Sequence, residues 1–186
     1  MNPKAVAIVI VYSLFHYLSQ TVVDSTGKQH YEIENKDTLY DLSQFLPNFS
    51  DYSEISHIFT ASTGLPLLAT MNIKIITEFI GLFITVSFVR DILMNTTILP
   101  KIEGVPDNHS LFGGAYDKMF SNHTSFVFLL TLIYYKHGII TNISVLVLTN
   151  VVNVVLILLT RSHYTMDTLV SFFVVLTVFQ NNLRII

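Results

Sequence analysis

The chain has 186 residues, of which 51% are hydrophobic and only 12% are charged, and its mean hydropathy is +0.55. Ordinary soluble domains carry roughly 25% charged residues. This composition, with its apolar residues in blocks, therefore favours an integral membrane protein over a large soluble helical core. A net charge of −3 without a basic run argues against a nucleic-acid partner, and the absence of cysteine excludes disulfides, thiol catalysis and cysteine metal sites.

Apolar runs predict six transmembrane helices in one bundle, an all-α polytopic fold that forms a single catalytic domain over residues 1–186. The six runs cover about residues 5–23, 55–71, 73–89, 124–137, 143–160 and 165–179. The first run would also fit a signal peptide, but no small-residue cleavage pattern follows it, so we interpret it as a retained helix. Gly64 and Pro66 in the second run are tolerated in membrane helices when neighbours satisfy the backbone.

Six spans place both chain termini on one side of the membrane and three of the connections on the other. These connections are the predicted loops at about residues 24–53, 91–122 and 161–164. Lysine and arginine are distributed too evenly for the positive-inside rule to decide the orientation. N-glycosylation sequons at Asn48, Asn95 and Asn108 favour an exoplasmic position for the loops, although Asn142 lies on the opposite side. We predict cytosolic termini and an exoplasmic or lumenal loop face, in an endomembrane such as the Golgi or in the plasma membrane.

The sequence RSHYTMD, residues 161–167, separates the fifth and sixth runs and carries the strongest candidate chemistry. His163 and Asp167 are four residues apart, a spacing that places both side chains on one helix face, about one turn apart. A carboxylate beside an imidazole fixes its tautomer and raises its basicity. Because unpaired polar groups are costly at a membrane boundary, the pair is a candidate functional site.

A second histidine, His123, begins the fourth span. Two helices and a short turn separate it from His163. Since an up-and-down pair of spans returns the chain to the face that it left, both histidines are expected at one membrane level. The remaining candidate residues fall on the same face.

This arrangement suits phosphoryl or phosphodiester transfer. One histidine, held by Asp167, attacks phosphorus and forms a phospho-histidine adduct. The other histidine protonates the departing alkoxide as a general acid. Splitting the transfer into two steps lets a second alcohol accept the head group. Cationic side chains on the same face, namely Arg90, Lys118 and Arg161, would stabilise the charge on phosphorus.

Other chemistry is less well supported by the sequence. A histidine at a helix end is usually structural. His123, His163 and Asp167 could together bind iron or zinc, but the chain has neither an HExxH motif nor a histidine box. A serine hydrolase would need a GxSxG-type elbow, and this motif is also absent.

At these residues the chain resembles the sphingomyelin synthase family, within the type 2 phosphatidic acid phosphatase superfamily. The family pattern Ser-Gly-His-Thr corresponds to SNHT at 121–124, and His-Tyr-Thr-x-Asp corresponds to HYTMD at 163–167. The family's acidic residue six positions before the first histidine matches Asp117. The segment FVRDILMNTTILP, residues 88–100, is similar to the Arg-containing segment that ends in Thr-x-Leu-Pro, and residues 45–51 are similar to the Pro-Leu-Pro-Asp segment before span two.

The resemblance covers about residues 45–179 and implies a reaction. His163 would be the nucleophile, Asp167 its partner and His123 the acid. Phosphocholine would move from phosphatidylcholine to ceramide with release of diacylglycerol, without a metal or other cofactor. The candidate substrate-binding residues are Arg90, Asp117, Asn122, Tyr164 and Arg161.

The chain also departs from the family pattern. Asn122 replaces the motif glycine, which is used where the backbone approaches a ligand or adopts a positive φ. The phosphatase-type Ser-Arg-x5-His spacing is absent, because Arg161 lies only two residues before His163. This difference favours a transferase over a plain lipid phosphatase.

Three alternatives remain open. The head group could be phosphoethanolamine or phosphoinositol, with diacylglycerol as another acceptor. A lipid phosphatase or phosphodiesterase of the same superfamily would use water as the acceptor. A non-enzymatic membrane protein that binds lipid would not need His123, His163 and Asp167 to converge. The sequence leaves the oligomeric state undetermined.

Overall fold

The computed structural model describes residues 3–33, 41–100, 116 and 118–185, and within these ranges the chain is helical and contains no strand. The seven α-helices are α1 (Pro3–Gly27), α2 (Ser53–Ser62), α3 (Leu65–Ala69), α4 (Ile73–Thr96), α5 (Asn122–Lys136), α6 (Ile143–Leu159) and α7 (Thr165–Ile185). A π-helix at Lys28–Ile33 extends α1, and short 3-10 helices form at Leu42–Phe45 and Ser50–Tyr52. The all-α class predicted from the sequence is confirmed for this part of the chain.

The predicted span at 55–71 is interrupted in the structure. It consists of α2 and α3, which are separated by a turn at Thr63 and Gly64. Pro66 lies in the first turn of α3, where its missing N–H is tolerated, but within one continuous helix it would break the hydrogen-bond ladder. The other predicted spans each correspond to one helix, and α4 continues past the predicted end at residue 89 to Thr96.

Membrane crossing receives partial support. Among the described residues, one helical stretch, Val6–Tyr31, is long and apolar enough to cross a membrane, and Ile143–Leu159 is apolar but shorter. The outer surface of α1 is apolar, with Ile10 62% and Val11 67% exposed, and a bilayer would cover such a surface. The six-span bundle therefore stays a prediction.

Helix α5 is the most enclosed element, in contact with α2, α4, α6 and α7. Val127, Leu129, Leu130 and Ile133 on this helix are fully buried. Ser121 is the N-cap of this helix, because its side chain accepts a hydrogen bond from the backbone N–H of Thr124. Because α5 is packed on several sides, its first turn is a firm platform for the side chains that it carries.

Two carboxylates hold the start of α7. Asp41 accepts the backbone N–H of Thr165 at 3.0 Å and the Thr165 hydroxyl at 3.2 Å, so a distant segment caps the helix. Asp167 accepts the N–H of Tyr164 at 2.9 Å, as the acidic member of a capping box does. These bonds satisfy donors that a helix start leaves open, and they fix the orientation of the motif at 163–167.

A pair of buried serines joins α5 to α7. The N–H of Ser121 donates to Ser171 Oγ at 2.9 Å. Ser171 Oγ in turn lies 3.1 Å from the carbonyl oxygen of Ser121 and 2.6 Å from that of Asp167. The first turns of the two helices that carry the candidate site are thereby held side by side.

Replacing Asp41 with alanine should destabilise the protein, because α7 loses its cap. Loss of such a cap costs about 1 kcal/mol. We expect a lower midpoint of thermal unfolding in detergent, followed by circular dichroism. The exposed carboxylate of Asp51 is the matched control, and Asp51→Ala should leave the midpoint nearly unchanged. Equal midpoints for the two variants would contradict the capping role.

The same contact should be sensitive to pH. Burial raises the pKa of Asp41, but hydrogen bonds from Ser43 and Thr165 outweigh burial and leave this pKa below its ordinary value of 3.8. A carboxyl with a depressed pKa stabilises the fold above its unfolded-state pKa, and this contribution is lost as the pH falls through the folded-state pKa. The difference in free energy of unfolding between wild type and Asp41→Ala should therefore shrink as the pH drops below 3.8.

Ser171→Ala should lower the free energy of unfolding by more than the removal of an exposed serine hydroxyl does. It leaves the buried N–H of Ser121 without its acceptor, at a cost of about 1–3 kcal/mol. Ser62→Ala is the control, because that exposed hydroxyl bonds only to its own helix at Phe59. The free energies of unfolding of both variants, measured in denaturant, test this. A Ser171→Ala protein as stable as Ser62→Ala would show that the serine pair does not hold the helices together.

Candidate active site

His163 and Asp167 are buried and in contact. His163 is 5% exposed and Asp167 is fully buried. His163 Nδ1 lies 3.4 Å from Asp167 Oδ2, which is an ion-pair distance somewhat longer than a charge-assisted hydrogen bond. A carboxylate at Nδ1 favours the proton on that nitrogen and leaves the lone pair on Nε2. This tautomer would leave Nε2 as the nucleophilic nitrogen, while at 3.4 Å Nδ1 makes an electrostatic contact with Asp167 and no hydrogen bond in the described ranges.

His123 occupies the first turn of α5 and approaches His163. The two ring centroids are 6.0 Å apart and the ring planes are inclined at 62°. The distance places both imidazoles in one site, with the Asp167 carboxylate behind His163. The three residues predicted to be catalytic are therefore brought together, while their chemical roles stay predictions.

A third histidine, His57 on α2, completes this cluster. Its Nδ1 lies 2.7 Å from His123 Nε2, and the ring centroids are 4.6 Å apart. His57 is exposed, whereas His123 is half-buried. The sequence analysis did not identify His57, because it belongs to no motif and reaches the site only through the packing of α2 on α5.

Two buried cations lie near the histidines. Lys118 Nζ donates to the carbonyl oxygen of Ser162 at 2.9 Å, so its charge is anchored beside the motif. Arg90 Nη1 lies 3.2 Å from Asp91 Oδ1. Burial first, and then the charge of Lys118, hold the pKa of His163 well below its usual range, with a smaller contribution from Arg90. His163 is therefore a neutral imidazole near pH 7, the form that a nucleophile requires.

Arg90 is positioned through Asp91. This fully buried carboxylate also lies 2.9 Å from His16 Nδ1 on α1. Buried charges are tolerated when they are paired and hydrogen-bonded. The His16–Asp91 contact links α1 to α4 and holds the end of α4 that carries Arg90.

Tyr164 and Asn122 lie at the starts of α7 and α5. The buried hydroxyl of Tyr164 donates to the carbonyl oxygen of Pro100 at 3.0 Å. Burial, and then the Asp167 carboxylate, raise the pKa of this hydroxyl, so it remains a donor. Asn122 Oδ1 is buried without a hydrogen-bond partner in the described ranges, and its backbone does not adopt a positive φ. The freedom of the motif glycine is therefore not needed for the backbone at this position.

Arg161 forms the turn that ends α6. Its φ is 51°, in the left-handed region that favours glycine. The N–H of Arg161 bonds to Leu158 O at 3.2 Å and the N–H of Ser162 bonds to Ile157 O at 3.1 Å, which together form a Schellman motif. Arg161 thus has a structural role in the turn, and its predicted contact with substrate stays a prediction. Asp117 lies outside the described residues.

Metal binding by His123, His163 and Asp167 is the alternative raised by the sequence, and chemistry without a metal stays a prediction. Within the described ranges, no group of three or more histidine, cysteine, aspartate or glutamate side chains is arranged to hold a metal ion. His123, His163 and Asp167 approach one another without forming such a group. The described site contains three neighbouring imidazoles, those of His57, His123 and His163, with a carboxylate behind His163 and positive charge nearby.

One comparison with known proteins gives a match that covers the region of this site. Residues 116–183 match the family model described as the PAP2 superfamily C-terminal domain, a match that covers α5, α6 and most of α7 and includes His123, His163 and Asp167. No curated protein and no solved structure matches the chain. The match supports the type 2 phosphatidic acid phosphatase superfamily, and with it an enzyme of the lipid phosphatase or phosphotransferase type. Together with the apolar stretch Val6–Tyr31, it indicates a membrane protein.

Proposed function

We propose that the protein moves a phosphocholine or related head group from a glycerophospholipid to ceramide, releasing diacylglycerol. The observation that carries the proposal is the convergence of His163, its partner Asp167 and His123. A membrane protein that only binds lipid has no need of this arrangement. The resemblance of residues 163–167 to the sphingomyelin synthase pattern favours transfer to a sphingolipid acceptor.

In the first step, His163 Nε2 attacks the phosphorus of the donor lipid. A nitrogen–phosphorus bond forms and the bond to the diacylglycerol oxygen breaks. His123 donates a proton to that oxygen, so diacylglycerol leaves as a neutral alcohol. Lys118 and Arg90 supply positive charge next to the oxygens on phosphorus.

In the second step, the primary hydroxyl of ceramide attacks the phosphorus of the phospho-histidine. His123, now without its proton, takes the proton of this hydroxyl. The nitrogen–phosphorus bond breaks and His163 returns to its neutral form. The head group has then been transferred, and each residue ends in its starting state.

An apolar cavity beside the site suits a lipid chain. It has a volume of about 320 Å³ and lies between the start of α2 and the end of α6. The lining residues are Phe49, Tyr52, Ile55, Leu156, Leu159 and Thr160. Thr160 also contacts Ser162 through their hydroxyls at 2.9 Å, so the cavity ends at the motif that carries His163. A substrate with both a phosphate group and hydrocarbon chains fits these surroundings.

The proposal includes a six-span topology with the site on the exoplasmic face. Its support is the way in which helix ends meet. The starts of α5 and α7 meet at the serine pair, whereas the end of α5 contacts the start of α4 through Lys136 and Glu78, 2.7 Å apart. Asn182, near the end of α7, lies 3.3 Å from the same carboxylate. The helices therefore alternate in direction, as an up-and-down bundle requires.

Lipid hydrolysis is the second candidate. It is favoured by the exposure of His57 next to His123, because this exposure brings solvent close to the proposed acid. Water would then replace ceramide in the second step. The two functions share the phospho-histidine and differ only in the acceptor.

His163→Ala should abolish formation of the covalent intermediate and hence all transfer. Purified protein in detergent micelles with phosphatidylcholine, labelled in the head group, would be supplied with ceramide, with diacylglycerol or with water alone. We expect labelled sphingolipid as the main product for wild type and none above background for His163→Ala. Accumulation of free labelled phosphocholine instead would identify the hydrolase.

His137→Ala is the matched control for this experiment. His137 lies at the opposite end of α5, where it contacts Glu78 at 2.9 Å. It is 14 residues from His123, or about 20 Å along a helix. We expect this variant to keep wild-type transfer. Retained transfer in His163→Ala would require another nucleophile and would refute the proposed mechanism.

The pH dependence of the first step should reflect the buried state of His163. Because its pKa lies well below 6.5, the imidazole should remain neutral and nucleophilic as the pH is lowered through 6.5. Trapping of labelled phosphoenzyme in a rapid-quench experiment should therefore show no decline with a midpoint near 6.5, the ordinary value for histidine. A decline with a midpoint near 6.5 would mean that the nucleophile titrates as an ordinary exposed histidine.

A further inference from the structure

The contact between His57 and His123 has no role in the two steps described above. The nitrogens that meet, His57 Nδ1 and His123 Nε2, are 2.7 Å apart. At that distance one nitrogen must donate and the other must accept, so the two rings share a single proton along this line. The other ring nitrogen of His123, Nδ1, is buried and has no hydrogen-bond partner in the described ranges.

His123 alone is poorly suited to store a proton. Burial, and then the neighbouring His57, Lys118 and Arg90 side chains, hold its pKa well below the usual range. Besides His57, Lys118 and Arg90, the His163 ring also faces His123. These four groups come from α2, α4 and the segments before α5 and α7. Of the charged groups here, Lys118 and Arg90 are positive, and the Asp167 carboxylate contacts His163 rather than His123. A general acid must nevertheless have a proton available near the working pH.

We propose that His57 is a proton relay for His123. His57 is exposed on α2 and takes up a proton from solvent, which it passes to His123 Nε2 while His123 Nδ1 releases its own proton to the leaving oxygen. This inference rests on the proposed function, since it concerns the departure of diacylglycerol in the first step. His57 itself does not touch the reacting atoms and acts only through His123.

The protons balance over the two steps. Before the first step, His57 carries protons on both nitrogens and His123 carries one on Nδ1. During departure of diacylglycerol, the Nδ1 proton moves to its oxygen and a proton crosses from His57 to His123 Nε2. Both rings are then neutral. In the second step, the hydroxyl proton of the acceptor moves to His123 Nδ1, and the Nε2 proton returns to His57.

The relay explains how a half-buried acid can act beside two cations. The charge is stored on the exposed ring, where water solvates it, and crosses to the site only when a negative oxygen develops there. A purely structural contact between the two rings would not require that the outer ring titrate. Replacements of His57 that keep its hydrogen bond but not its titration therefore separate the two roles.

The test compares His57→Ala and His57→Gln with wild type on two donors that differ in their leaving group. With phosphatidylcholine, whose alkoxide needs a proton, both variants should form phosphoenzyme about 10²-fold more slowly at pH 7. With p-nitrophenyl phosphocholine, whose aryl oxide leaves without a proton, both should react at nearly the wild-type rate. His123→Ala should show the same contrast, whereas His163→Ala should fail with both donors.

Two further readouts distinguish a relay from a structural contact. The residual activity of His57→Ala on phosphatidylcholine should rise as the pH falls, because His123 must then be protonated directly. Added imidazole should restore part of the activity, since the vacated position is exposed. Ile58→Ala, an exposed neighbour on α2, is the control for disturbance of the helix surface and should match wild type on both donors.

Several results would overturn the relay. One is a wild-type rate of His57→Ala with phosphatidylcholine. Another is an equal loss with both donors, without imidazole rescue and without a change in pH profile, which would show that His57 only supports the site. Wild-type protein that forms no phosphoenzyme with either donor would instead overturn the proposed function itself, and the relay with it.

Discussion

The hydrogen bonds between Ser121 and Ser171 determine how close His123 comes to His163. His123 lies on α5 and His163 immediately precedes α7, and these two helices could slide past one another on apolar contacts alone. The buried N–H and carbonyl of Ser121 must both be hydrogen-bonded, so α5 and α7 can pack in only one register. Because Ser171 also reaches the carbonyl of Asp167, the same hydroxyl locates the carboxylate behind His163. The site is thus aligned by hydrogen bonds between buried polar groups.

Much of the helical framework could be predicted, because long apolar runs have few alternatives to helices. The pairing of His163 with Asp167 was also predicted, but on a helical spacing that the structure does not have: His163 lies two residues before α7, and Asp167 contacts it from the first turn of that helix. The approach of His123 depended on the count of helices between the two motifs. The structure describes these three residues at one site, and it confirms the all-α class for the described ranges. The number of membrane crossings depends on more than apolar length and stays a prediction.

The contacts that sequence could not provide are those made between segments far apart in the chain. Asp41 caps α7 across more than a hundred residues, and no local pattern identifies it as a cap. His57 reaches His123 only because α2 packs on α5. The break between α2 and α3 was indicated by Pro66, but Gly and Pro are also found inside continuous membrane helices, so composition could not decide. The Asp41 cap, the His57–His123 contact and the break between α2 and α3 all depend on how the helices pack together.

The placement of His163 has a consequence for the charge of the proposed intermediate. The Schellman turn at Arg161 ends α6 and lets the chain reverse before α7 begins, so His163 lies just ahead of the first residue of α7. A helix has a partial positive charge at its amino end, worth about 0.3–1 kcal/mol to a nearby anion. His123, in the first turn of α5, lies at a second such end. A phosphate on His163 would therefore lie near the amino ends of two parallel helices, where the Asp41 and Asp167 carboxylates that cap α7 offset part of the favourable partial charge.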